Sequence, residues 1–128
     1  MSIRIVRLGS ERSKGEGLRI GTVRRPPRGV AKAKLASENW YDVWLPQLAP
    51  SADLVKQAQA ATSPRDWQTF ERKYRAEMSE PDNARLLTLL ATLSQTTDLA
   101  VGCYCVDEAH CHRATLRALL LEHGAKLE

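Results

Sequence analysis

Ile3-Arg4-Ile5-Val6-Arg7-Leu8 is β-branched and partly alternates between apolar and charged residues, and Leu18-Arg19-Ile20-Gly21-Thr22-Val23 reads as a second such stretch. A two-residue period of this kind predicts half-buried β-strands, here over 2–8 and 18–24. The polar, glycine-containing stretch between them reads as a loop. A third strand is predicted over 98–104. From Leu99 to Tyr104 it carries no charge, as expected of a parallel strand covered on both faces. A further strand fits 30–35. Elsewhere the period lengthens to three and four. Leu54, Val55 and Ala58 form a stripe over 51–61 behind Ser51 as N-cap, and Trp67, Phe70, Tyr74 and Met78 form one over 64–79 behind Ser63 and Pro64. Leucines mark a helix over 83–94, opened by Asp82 or Asn83, and another over 109–123 with Asp107 as a cap. Trp40 and Trp44, four apart, would share one face of a short helix over 38–45. Strands interleaved with amphipathic helices predict an α/β fold. We expect a single domain, 1–128, with three layers: a short, mainly parallel sheet and helices on both faces.

Charge adds an asymmetry to this outline. Residues 1–34 contain ten Lys/Arg against Glu11 and Glu16, while the rest of the chain contains nine Lys/Arg against thirteen Asp/Glu. A basic end favours an anionic partner, whether a small phosphorylated molecule, a nucleotide or nucleic acid. The chain has no apolar run near the ~20 residues that span a bilayer, and its start lacks the apolar core of a signal peptide. These features predict a cytoplasmic protein with no membrane partner. Three cysteines crowded into nine residues, Cys103, Cys105 and Cys111, make a poor disulfide framework and suit reduced thiols.

Candidate chemistry gathers where the last strand gives way to the last helix, the position at which open α/β sheets hold their ligands. Three readings of Cys111-His112-Arg113 are available. As a metal site, Cys103, Cys105 and Cys111 with His110 or His112 offer suitable ligands, but C-x-C-x5-C-H matches no familiar zinc spacing, so neither metal nor cofactor is assigned. As a catalytic site, Cys111 would be a nucleophile favoured by the helix N-terminus and by its basic neighbours, with His112 and Glu108 as acid–base partners. As an anion site, the helix N-terminus, Arg113 and a protonated His112 would receive a phosphate. Arg24, Arg25 and Arg28 would approach from the other side, held on the stiff loop Arg24-Arg25-Pro26-Pro27-Arg28-Gly29. The anion reading draws on two segments far apart in sequence and is the one preferred. A thiol-dependent enzyme using Cys111 and a nucleic-acid-binding module using the basic third are the alternatives.

Arg19-Ile20, the Arg-x-Pro-Arg-Gly within the proline loop, Trp40, Ala49-Pro50-Ser51 with Leu54, and Phe70 with Tyr74 and Glu77 resemble the YeaO-like family of bacterial proteins over most of the chain. Arg25 and Pro26 stand where those relatives have Leu and Trp. The ending, with Cys103 or Cys105, Glu108, Cys111, His112 and Arg113, is similar instead to the broader family around them. The resemblance implies a compact α/β domain with a mainly parallel sheet, and it supplies no activity, substrate or cofactor.

Overall fold

The computed structural model describes residues 1–105 and 111–128. Four strands, β1 (Ile3–Arg7), β2 (Leu18–Gly21), β3 (Val43–Trp44) and β4 (Leu99–Cys103), form one sheet in the order β1-β4-β2-β3. Every pairing is parallel. The last strand in sequence is therefore central, and all five of its residues are buried, which accounts for its lack of charge. Register places Ile3 and Leu18 beside Leu99, and Ile5 and Ile20 beside Val101. Those side chains share one face, because alternate residues of a strand point the same way.

Against that face pack α1 (Ala52–Ala60), α2 (Pro64–Met78), α3 (Pro81–Leu93) and α4 (His112–Glu122). Their stripes, including Leu54, Phe70, Tyr74, Leu87, Leu116 and Leu120, close the main core with Ile3, Ile20, Leu99 and Val101. Ser51 and Ser63 cap α1 and α2 through Leu54 N–H and Asp66 N–H. The opposite face carries Arg19, Gly21, Ala100 and Gly102. It is covered by residues 8–17, which return the chain from β1 to β2, and by the segment from the 3₁₀ turn Lys32–Lys34 to Tyr41. The arrangement is the expected α/β fold with a parallel sheet in three layers, the layer opposite the four α-helices being formed by loop segments and the 3₁₀ turn. Ten residues suffice for the return because a chain reaches roughly 3.3 Å per residue.

The buried Arg19 pins this second layer. Its guanidinium pairs with Glu16 at 2.9 Å and donates to the carbonyls of Ser10 and Asn39 at 2.9 and 2.7 Å. Gly21 leaves room for the Tyr41 ring, which a Cβ there would strike.

Several element assignments differ from the sequence expectation. The segment 38–45 is not a helix. Asn39 takes φ +65°, and Val43–Trp44 pairs with β2 as an edge strand. Pro46 drives Leu45 out of the helical region, and hydrogen bonding to β2 outweighs helix propensity. Trp40 and Trp44 therefore share no helical face: Trp40 packs with Leu8, Tyr41 and Cys103, while Trp44 lies at the sheet edge and donates to the Val23 carbonyl at 2.7 Å. The proposed strand over 30–35 is instead the 3₁₀ turn, and β2 ends at Gly21 before the prolines. α3 begins at Pro81 with Glu80 in the cap position, ahead of Asp82 and Asn83. α4 is capped by Cys111 without a side-chain hydrogen bond, and the expected cap Asp107 lies outside the described residues. No helix among the described residues is long and apolar enough to cross a membrane.

Candidate active site

The carboxyl ends of β1, β2 and β4 open into one cavity of about 1070 Å³. Its wall is the proline loop, with Arg24, Arg25 and Arg28. Its floor is the end of β4, with Cys103, Tyr104 and Cys105, together with His112 from the first turn of α4. The loop is tied to the strand end. The Tyr104 hydroxyl donates to the Arg25 carbonyl at 2.9 Å, and Arg24 donates to the carbonyls of Pro50 and Ala49 at 3.0 and 3.1 Å. Arg24 is thus partly committed to holding the loop, whereas Arg25 and Arg28 are exposed.

Two of the three cysteines, Cys103 and Cys105, lie on the floor. Cys103, on the helix-facing side of β4, is buried with Sγ 2.7 Å from Sγ of Cys111, which is itself only 2% exposed. Cys105 lies two residues beyond Cys103, just past the strand, and is exposed. Hydrogen bonds from Cys103 and Cys111, reinforced by the charge of Arg113, outweigh burial and hold the Cys105 thiol well below its ordinary pKa. The two buried thiols move the other way. Hydrogen bonds to Cys105 and Cys111, followed by burial, raise Cys103. At Cys111 the hydrogen bond with Cys103 favours ionisation, but the one to Cys105 and burial outweigh it. The cluster therefore concentrates its negative charge on the sulfur that solvent reaches.

His112 sits beneath the sulfurs. Nε2 lies 2.8 Å from the Thr22 carbonyl and 3.3 Å from its hydroxyl, while the ring meets Tyr74 edge-on with centroids 5.6 Å apart. A carbonyl can only accept, so Nε2 carries the hydrogen and Nδ1, 3.7 Å from Cys111 Sγ, offers its lone pair. Burial lowers the imidazole pKa to about 4, so at neutral pH the ring is uncharged, not the imidazolium expected from the sequence. Arg113 is 3% exposed and donates from Nη2 to the Cys105 carbonyl at 2.6 Å. Among the described residues its Nε has no acceptor and no carboxylate pairs with it. A buried guanidinium without a counter-ion costs several kcal/mol, which a nearby thiolate or a bound anion would offset.

The structure brings Arg24, Arg25, Arg28, Cys105 and His112 to one cavity. It sets Cys111 and Arg113 behind that floor, and Glu108, with Asp107 and His110, lies outside the described residues. The ligand atoms of Cys103, Cys111 and His112 fall within 4.8 Å of one another, the ordinary scale of a metal site. Two thiolates bound to one tetrahedral zinc, however, stand roughly 3.8 Å apart given Zn–S bonds of about 2.3 Å. The 2.7 Å contact is shorter than that separation. Thr22 and Tyr74, which fix the tautomer and position of His112, were not expected in the site. In the sequence they read only as a strand position and part of an apolar stripe.

A family model described as the active DUF488-N3 subclade matches residues 3–124. No curated protein matches the chain, and neither does any solved structure.

Proposed function

The chain belongs to the active DUF488-N3 subclade, and from that membership and the cleft geometry we propose a thiol-dependent enzyme that binds a phosphorylated or nucleotide-like anion. The observation carrying this reading is that the exposed arginines Arg25 and Arg28 border the same cavity as Cys105 and His112. Guanidinium groups on a proline-stiffened loop lose little freedom on gripping an oxyanion. The substrate would lie against them with its reactive atom toward the sulfurs. The residues for catalysis are then Cys105 as the accessible thiolate, with neutral His112 on the same cavity and Cys111 and Glu108 as its further partners. Arg113 stabilises the thiolate from below.

Three free cysteines in one cluster suit a reducing compartment, so the reading includes a cytoplasmic location and a single domain. The Arg-x-Pro-Arg-Gly segment keeps the chain close to YeaO-like proteins within the family. Nucleic-acid binding is the weaker alternative, because part of the basic third is engaged in ion pairs within the chain. Arg4 pairs with Glu128, Arg12 with Asp42 and Arg19 with Glu16.

Titration calorimetry with inorganic phosphate and with a nucleoside diphosphate tests the anion site. Binding that weakens about tenfold or more in the Arg25→Ala/Arg28→Ala variant is expected, since each charge-assisted contact contributes roughly 1.5–3 kcal/mol. Equal affinity in the two proteins would refute it.

A further inference from the structure

We propose that Cys103 and Cys111 are a modification site, a buried thiol pair that a small hydroperoxide closes to a disulfide. Both cysteines are free, and their Sγ atoms are already 2.7 Å apart. An S–S bond is about 2.05 Å long, so closing the pair asks for about 0.7 Å of movement. The backbone fixes this meeting from both sides. Cys103 ends β4, which is paired with β1 and β2, and its carbonyl accepts from Leu8 N–H at 2.8 Å. Cys111 is the N-cap of α4, and its carbonyl accepts from Ala114 N–H at 3.2 Å. Access is narrow. Each residue is only 2% exposed, but Cys103 lines the cavity, so a neutral molecule the size of hydrogen peroxide reaches the pair from the cleft. The pairing does not depend on what the arginines of that cleft bind.

The chemistry runs through a sulfenic acid. Cys103 Sγ attacks one oxygen of hydrogen peroxide, an S–O bond forms, the O–O bond breaks, and the Cys103 proton leaves with the departing hydroxide as water. Cys111 Sγ then attacks Cys103 Sγ. The S–S bond forms, the S–O bond breaks, and the hydroxide departs with the Cys111 proton as a second water. His112 Nδ1, 3.7 Å from Cys111 Sγ, is placed to carry that proton. Two thiols and one peroxide become one disulfide and two waters, and a dithiol reductant reopens the bond. Both thiols are held above their ordinary pKa, so the first step is slow beside that of free cysteine and the pair answers to sustained peroxide. Closure removes the Cys111 thiol from beside His112 and fastens the cap of α4 to the end of the central strand. In a reducing compartment a bond of this kind is transient and redox-sensing.

The test incubates the reduced full chain with hydrogen peroxide, blocks the remaining thiols with iodoacetamide under denaturing conditions, and cleaves after Tyr104 and Glu108, which puts the three cysteines on separate peptides. The expected product is a pair of peptides joined through Cys103 and Cys111, with Cys105 recovered apart from them. It should form equally in Cys105→Ser and disappear on treatment with dithiothreitol. Cys111→Ala should stop at a Cys103 sulfenic acid that dimedone traps. The closed protein should unfold about 5 °C or more above the reduced one, because the cross-link restricts the unfolded chain. Mapping on the unaltered chain stands even where a buried variant fails to fold. Recovery of Cys103 and Cys111 as alkylated thiols after Cys105 is fully oxidised, or a bond mapped to Cys105 in place of either, overturns the pairing. An unfolding midpoint that falls on closure overturns it too, since the native fold would then have to distort to bring the sulfurs together.

Discussion

His112 is the residue whose charge burial controls most completely. Its pKa falls from an ordinary value near 6.5 to about 4 in the folded chain. Between those values the unfolded chain takes up a proton that the native state refuses, so stability must drop as pH falls from 6.5 toward 4. At about 1.4 kcal/mol per unit, moving from pH 6.5 to 5 should cost roughly 2 kcal/mol. Urea denaturation of the unaltered protein and of His112→Gln at both pH values measures it, and the variant should lose less stability than the original. Glu16 acts in the same direction at lower pH. Burial alone would raise its carboxyl, but the hydrogen bond and charge of Arg19 prevail and hold it below the usual range. The contribution of that depressed pKa is present above the unfolded value and disappears as pH falls through the folded one. Because the pair is buried, Glu16→Gln should be strongly destabilising, by about 3–5 kcal/mol, as expected when one partner of a buried ion pair is removed. A loss below 1 kcal/mol in chemical denaturation would show that Arg19 finds its support elsewhere.

At the scale of elements, Gly102 explains how the central strand reaches full burial. A Cβ there would meet the Val6 carbonyl oxygen and approach Val6 Cγ2 at 2.9 Å. Gly102→Ala should therefore push β1 and β4 apart and lower stability by about 1–3 kcal/mol, the usual cost of overpacking. Thermal denaturation checks this, and an unchanged midpoint would mean that β1 yields freely. Most of these elements were legible in the chain. The serine caps of α1 and α2, the stripe through Phe70 and Tyr74 and the uncharged run of β4 all agree with the three-dimensional arrangement. The segment 38–45 was not, because its two-residue edge strand exists only through pairing with β2, and Trp40 and Trp44 at a spacing of four mimic a helix. The extent of the site was only partly legible. Cys111, His112 and the proline-loop arginines stand out by residue type. The contributions of Thr22 and Tyr74 depend on strand order and on the packing of α2 over α4, which local patterns do not carry.

The whole molecule places the basic loop after β2 and the sulfurs after β4 at the same end of adjacent parallel strands. Parallel pairing makes this convergence unavoidable, since equivalent ends of neighbouring strands open to one side of the sheet. The internal ion pairs of Arg4, Arg12 and Arg19 consume part of the amino-terminal charge, leaving the exposed arginines of the proline loop concentrated at the cleft. The central claim is that their field acts on Cys105. Its most direct measure is the ratio of alkylation rates at Cys105 for the anionic iodoacetate and the neutral iodoacetamide, read by peptide mass and compared with the same ratio for free cysteine. The account predicts a ratio raised severalfold in the intact protein and returned to the free-cysteine value in Arg25→Ala/Arg28→Ala. A ratio in the intact protein equal to that of free cysteine would contradict it.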